Sequence, residues 1–217
     1  MKIAIIGAGN VGRALATSFG RAGHDVVITS RDPQHATDLA ETVARATTAP
    51  SPLVAAQNAD VVVLAIPFSS VAEVALNIRP AIAGKPVIDV TNRMSFGANG
   101  VEMDTDTSNA EELSVLLPEA KVVKAFNTLF SSTQSDPVLE GVQLDGFVAG
   151  DDDAAKALVL ELVESIGLNP VDVGPLVRAR QLESLAFLNI ALQIANNGSW
   201  QSGWRLVGAP ATAKVAA

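Results

Sequence analysis

Lys2-Ile3-Ala4-Ile5-Ile6-Gly7-Ala8-Gly9-Asn10-Val11-Gly12 follows Met1, and the reading of this stretch decides the fold. Lys2 to Ile6 is a short apolar run rich in isoleucine, the composition of a buried strand. It passes directly into G-x-G-x-x-G. Arg13 to Arg21 then reads as a helix, and Asp25-Val26-Val27-Ile28-Thr29 as a second strand. In such a unit Gly7 allows the tight turn, Gly9 lets a pyrophosphate approach the backbone, and Gly12 lets the helix lie close on the sheet. The N–H groups at the helix start, at the positive end of its dipole, then face an anion.

The residues beyond the second strand select the nucleotide. An NAD site usually places Asp or Glu there, to accept hydrogen bonds from the ribose 2′-OH. This chain has Thr29-Ser30-Arg31. The Arg31 guanidinium can stack on adenine or pair with a 2′-phosphate, and Ser30 adds a hydroxyl donor. No carboxylate occupies the tip to repel a phosphate; Asp32-Pro33 reads as an N-cap followed by proline at the first helical position. His35, just past Arg31 on the next helix, is a further candidate donor. The reading is NADP(H), not NAD(H).

Composition narrows the classes. A chain of 217 residues holds one domain, or one domain with a small appended lobe. Hydrophobic content of 48% against 18% charged residues describes a globular chain with an ample core. A net charge of −8 argues against nucleic acid and anionic membranes as partners, since both attract basic surfaces. No cysteine is present, which excludes disulfides and thiol catalysis. No apolar stretch reaches membrane-spanning length, and Gly7, Gly9 and Asn10 break the N-terminal run too early for a signal peptide. A soluble, cytoplasmic protein is expected.

Along the chain, helical and strand patterns alternate. Pro33–Arg45 reads as a helix, Leu53–Gln57 as a brief one, and Asp60–Ile66 as a doubly buried parallel strand ending at Pro67. Ligands bind beyond the carboxyl ends of such strands, which brings Ala65, Ile66 and Pro67 towards the nicotinamide half of a dinucleotide. Val71–Arg79 is the next helix and Pro86–Val90 the next strand, followed by an irregular segment from Met94 to Thr107. Glu102, Asp104 and Asp106 within it read as a solvated acidic face, not as metal ligands. A helix capped by Ser108 and Glu111, a strand Lys121–Phe126, a strand Val142–Gly150, a helix begun by Asp151-Asp152-Asp153 and a last strand Leu168–Val173 complete the pattern. The predicted fold is α/β: a doubly wound, mainly parallel sheet of Rossmann type over residues 1–174 with a small C-terminal helical lobe over 175–217. In that lobe Leu182–Ala195 reads as a helix carrying Asn189 and Gln193 one turn apart, Trp200 and Trp204 are packing residues, and Ala209–Ala217 reads as a frayed tail.

Chemistry is constrained by what is missing. There is no tyrosine, so a tyrosine/lysine proton relay is excluded. His24 and His35 are the only histidines, and neither is placed as a general base for alcohol oxidation. None of the six lysines falls on the lobe helix. No catalytic acid–base residue and no metal ligand set is therefore assigned. A hydride acceptor that is itself a cofactor relieves the protein of most proton chemistry, leaving it to align the rings and exclude water.

With these residues in place, the chain resembles the NADPH:coenzyme F420 oxidoreductase family over almost its whole length. The resemblance rests on Ile5–Gly12, Ser30-Arg31, Ala65-Ile66-Pro67, Asp89-Val90-Thr91-Asn92, Val122–Thr128 and Leu182-Glu183-Ser184-Leu185-Ala186. It implies a homodimer that binds NADP(H) and exchanges a hydride with the deazaflavin coenzyme F420, held in a cleft against the C-terminal lobe. By that resemblance Gly7, Gly9, Asn10, Val11 and Gly12 cradle the pyrophosphate, Ser30 and Arg31 hold the 2′-phosphate, and Ala65, Ile66, Pro67, Ala125 and Asn127 line the nicotinamide. The chain departs from the family at His35, where members often carry a second arginine. Two other functions fit the same residues: an NADPH-dependent reductase of a flavin, quinone, metal chelate, imine or carbonyl, and a non-catalytic NADPH-binding redox sensor. Arg31→Ala is expected to weaken NADPH binding by roughly 1.5–3 kcal/mol, the range for hydrogen bonds to charged groups. It should leave NADH nearly unchanged, and fluorescence titration of both nucleotides checks the contrast.

Overall fold

The structure, a computed structural model, describes residues 1–97, 100–103 and 106–208. Strands β1 (Lys2–Ile6) and β2 (Asp25–Thr29) pair in parallel, Ile3 opposite Val26 and Ile5 opposite Ile28, with α1 (Asn10–Arg21) between them. The alternation continues through α2 (Pro33–Thr42), β3 (Ala46–Thr48), α3 (Pro52–Gln57), β4 (Val61–Leu64), α4 (Val71–Ile78) and β5 (Pro86–Asp89). Then follow β6 (Met94–Gly97), β7 (Gly100–Met103), α5 (Asn109–Leu116), β8 (Lys121–Ala125) and α6 (Ser131–Ser135). Next come β9 (Val138–Leu139), β10 (Val142–Gln143), β11 (Asp145–Gly150), α7 (Asp153–Ser165), β12 (Asn169–Gly174) and α8 (Ala179–Ala195).

Eight strands form one sheet in the order β12-β11-β8-β5-β4-β1-β2-β3. The order reverses between β1 and β4, and the crevice at that reversal is where open α/β sheets bind ligands. Because strand side chains alternate, β1 sends Ile3 and Ile5 to one face and Ala4 and Ile6 to the other. The first face packs against α1, α2 and α7, through residues such as Leu15, Phe19, Leu39 and Leu162. The second packs against α3, α4 and α5, through Ala55, Val71, Ile78 and Leu113, and reaches the start of α8 at Ala179. Further along, α8 covers β11 and β12, where Leu182 meets Phe147 and Val171.

Three expectations are modified. The segment Met94–Thr107 is not wholly irregular: β6 and β7 pair as an antiparallel hairpin, Met94 opposite Met103 and Gly97 opposite Gly100. Its two four-residue arms are too brief for periodicity to reveal. Asp104 lies outside the described residues, as does the tail from 209 onward. The expected strand Val142–Gly150 is divided, because Val142-Gln143 pairs back on β9 before β11 begins. Lastly, β11 runs antiparallel to β8 while β12 runs parallel to β11. After β8 the chain turns at Phe126, which sits in the left-handed region (φ 62°), and packs α6 on α1 through Ser18 Oγ donating to the Gln134 carbonyl at 2.9 Å. Without a crossover over the sheet, the chain re-enters from the end at which β8 left.

The helix that ends the fold is tied down early. Ser108 and Glu111 form a reciprocal cap on α5, and the Glu111 carboxylate also accepts two hydrogen bonds from Arg180, from Nε at 2.8 Å and Nη2 at 2.7 Å. These Arg180 bonds, ahead of the Ser108 contacts, hold the Glu111 carboxyl below the usual glutamate range. A depressed folded-state value contributes stability that is present above the unfolded value of about 4.3 and lost as pH falls through the lower folded one. Glu111→Gln should therefore lower the melting temperature near neutral pH, with the gap from wild type closing in acid. Thermal melts across pH check it.

Candidate functional site

Two of the three glycines after β1 are required by the protein itself. Gly7 has φ 116°, and a Cβ there would stand 2.1 Å from the Ala65 carbonyl oxygen. A Cβ on Gly12 would stand 1.9 Å from the Gly7 carbonyl oxygen, so α1 lies directly against the loop. Gly9 differs. Its φ is −74°, open to any residue, and no protein atom lies within 4 Å of where its Cβ would be. It is also the N-cap of α1, which has no side-chain cap and no acidic residue in its first turn. The helix thus presents uncovered N–H groups to open space, an arrangement that suits an anion.

At the end of β2, Ser30 is half-buried and its hydroxyl donates to the Asp32 carbonyl oxygen, so it must turn to serve another acceptor. Arg31 is exposed. Asp32 caps α2 by accepting from Gln34 N–H at 3.0 Å, as its sequence context suggests. His35 lies one turn into α2, with Nε2 3.7 Å from Asp32 Oδ2. The cation past β2 therefore faces solvent with a carboxylate engaged beside it, and no carboxylate replaces it at the tip.

Ala65 and Ile66 leave β4 against Gly7, and Pro67 is exposed beyond them. Asn10, Val11 and Asn127 come together in a cleft of about 460 Å³. Its opposite wall is Ala186, Asn189 and Ile190 of α8, with Ser199, Trp200 and Gln201 of the segment beyond. Ala125 stays in the core behind this cleft, fully buried. Across the cleft floor Asn92 Nδ2 donates to the Asn127 carbonyl oxygen at 3.2 Å, and Asn127 Nδ2 donates to Asn92 Oδ1 at 2.9 Å. Asn127 Oδ1 is buried with no hydrogen-bond partner among the described residues. Gln193 holds the covering segment by accepting from Trp200 N–H at 2.8 Å and donating to Ser202 Oγ at 2.9 Å. The Trp200 ring meets Phe130 edge-on, centroids 5.2 Å apart. None of the described side chains lining the cleft is ionisable.

Behind the cleft lies a cluster that sequence reasoning missed. Asp89 and Lys124 are register partners on β5 and β8, both wholly buried. Lys124 Nζ donates to Asp89 Oδ2 at 2.8 Å, to Glu183 Oε1 of α8 at 2.7 Å, and to the Thr91 carbonyl oxygen. Asp89 Oδ1 accepts from Thr91 N–H, Thr91 Oγ1 and Asn109 Nδ2, while Glu183 accepts from the N–H groups of Asn109 and Arg93. The signal was available: a lysine inside the apolar run Val122-Val123-Lys124-Ala125-Phe126 must find buried partners.

A sheet reversal with a glycine loop, an uncapped helix and a cation past β2 places the chain in the class of Rossmann-type dinucleotide-binding proteins. Residues 2–93 match the family described as NADP oxidoreductase, coenzyme F420-dependent. The F420-dependent NADP reductase of Methanothermobacter thermautotrophicus is 35% identical over 214 residues, covering 90% of each chain. A candidate F420-dependent NADP-reductase of Arthrobacter sp. FB24, of known structure, is 32% identical with a TM-score of 0.82, covering 91% of this chain and 96% of the other. The rat metalloreductase STEAP3 is 31% identical over 185 residues, and the chain spans 36% of that longer protein. The chain belongs to the coenzyme F420-dependent NADP oxidoreductase family.

The glycines separate experimentally. Gly12→Ala should destabilise the fold by about 1–3 kcal/mol, the usual cost of overpacking. Gly9→Ala should leave the melting temperature unchanged and weaken NADPH. Paired thermal melts and nucleotide titrations check both.

Proposed function

We propose that the protein exchanges a hydride between NADPH and coenzyme F420. The observation that carries this reading is the cleft between the glycine loop and α8, whose described walls hold no acid or base. Reduction of a carbonyl or imine draws on a positioned proton donor. Exchange between two planar heterocycles draws chiefly on alignment. In the balanced reaction NADPH, F420 and one proton give NADP+ and reduced F420, the hydride passing from nicotinamide C4 to deazaflavin C5 and the proton coming from solvent. NADPH fits these features: Gly9 and the uncapped α1 face open space that would take a pyrophosphate, and Arg31, exposed past β2, would meet a 2′-phosphate. The unpartnered Asn127 Oδ1 suits an amide N–H such as that of the nicotinamide carboxamide. A cleft of this volume lies within the range of small-molecule sites.

In this reading residues 1–174 hold the nucleotide and 175–217 form the acceptor side. Gly7, Gly9, Asn10, Val11 and Gly12 surround the pyrophosphate, Ser30, Arg31 and His35 the 2′-phosphate, and Ala65, Ile66, Pro67 and Asn127 the nicotinamide, with Ala125 supporting them from the core. The reading includes a homodimer: α8 exposes Leu188 and Leu192 one turn apart, a stripe suited to a second copy. It also implies a cytoplasmic location, where NADPH is available. Among the described residues no helix is long and apolar enough to cross a membrane.

Anaerobic mixing with NADPH and F420 is expected to bleach the deazaflavin absorbance in step with NADPH loss. Faster NADPH oxidation with ferric chelates or free flavin, and none with F420, would overturn the acceptor in favour of the metalloreductase-like alternative. Tight NADPH binding without turnover on any acceptor would favour a sensor.

A further inference from the structure

Three residues lining the cleft, from three different elements, each stand three positions beyond a member of the buried charged cluster. Asp89 precedes Asn92 on the β5 exit, Lys124 precedes Asn127 on the β8 exit, and Glu183 precedes Ala186 on α8. The spacing has a mechanical meaning. Asn92 and Asn127 bind one another and so form one wall, attached to the sheet. Ala186, Asn189 and Ile190 form the facing wall, attached to a helix that is tied to α5 by Arg180 and whose other contacts with this part of the sheet, among the described residues, are apolar. Apolar contacts are non-directional and let a helix slide, whereas three N–H donors from one ammonium fix direction as well as distance. Every Lys124 proton is used, one on each of β5, the Thr91 turn and α8.

Charge reinforces the geometry. Two carboxylates surround one lysine, and the second is steadied by the α5 N-terminus, whose first N–H, on Asn109, donates to Glu183 Oε1 at 2.9 Å. Replacing such a cluster by apolar side chains often leaves stability unharmed, so what the charged cluster adds over an apolar one is direction and not net stability.

We propose that Lys124, with Asp89 and Glu183, is a positioning residue that sets the distance between the sheet wall and the α8 wall of the cleft. It thereby sets the approach of the two reacting rings, without touching either. The inference rests on the hydride-exchange reading for its kinetic consequence, but not for its geometric one.

The test compares Lys124→Met and Glu183→Gln with Leu162→Ala, a core change in α7 that neither lines the cleft nor touches the charged cluster. Single-turnover hydride transfer from NADPH to F420 should slow by about 10- to 100-fold in the cluster variants, as for misplacement near 1 Å. The NADPH dissociation constant should stay within about threefold, so the loss falls on the chemical step. The deuterium isotope effect with 4-deuterated NADPH should become more temperature-dependent than in wild type. Independently of turnover, NADPH emission sensitised by Trp200 and Trp204 should change in the cluster variants and not in Leu162→Ala. Glu183→Gln keeps the side-chain volume and serves if Lys124→Met does not fold. A cluster variant with a lowered melting temperature but wild-type transfer rate and sensitised emission would overturn the proposal, as would loss of NADPH affinity in proportion to rate. If wild type fails to reduce F420, the hydride-exchange reading falls, and the emission comparison alone decides the positioning claim.

Discussion

An ammonium group inside a buried sheet can be tolerated only if each of its protons is accepted, and Lys124 meets that condition with three acceptors from three parts of the chain. The isolated cost of such burial is several kcal/mol per ion, offset only when geometry is good and the remaining lone pairs are filled. Here Asp89 and Glu183 are filled from backbone and side chain alike. This requirement fixes the exits of β5 and β8, the first turn of α5 and the seat of α8 relative to one another. The cleft above is the space left between parts already immobilised.

The nucleotide half of the crevice depends on close approach instead of charge. Gly7 and Gly12 let β1, β4 and α1 converge until carbonyl oxygens occupy the room of absent side chains. That convergence points α1 at the reversal in strand order, with its first turn free of acids and caps. Gly9 then stands out as a glycine that neither its φ nor any nearby protein atom requires, which agrees with the proposed approach of a pyrophosphate.

Much of this was legible in the sequence because local chemistry and global fold agree. The run Ile3–Ile6 followed by spaced glycines announced β1 and α1, Asp32-Pro33 the start of α2, and Ser108 with Glu111 the cap of α5. The hairpin β6–β7 was hidden because four-residue arms are too short to show alternation. The direction of β11 was hidden because nothing local records whether a connection crosses a sheet; it is decided at Phe126 and in the packing of α6 on α1. At the site, the glycine loop, Arg31 and Asn127 were readable from motif context. The Asp89–Lys124–Glu183 cluster was not assembled, since its members lie up to 94 residues apart and meet only through strand register and helix docking. Ala125 illustrates the converse: it is the last residue of β8 and turns into the core with Val123, whereas Asn127 lies past the left-handed turn at Phe126 and reaches the cleft.

Beyond α8 the chain is rooted in the sheet at a single buried carboxylate. Asp145 receives Arg205 Nη1 at 2.7 Å and the Leu206 N–H, and its own N–H donates to the Trp204 carbonyl oxygen at 2.9 Å. Between this root and the end of α8, residues 196–203 bridge the mouth of the cleft and add nothing to the eight-stranded sheet. Substitutions within that bridge would therefore reshape the rim of the cleft through its contacts with Phe130, Ser132 and Gln193, while the strands and their pairing stay as they are.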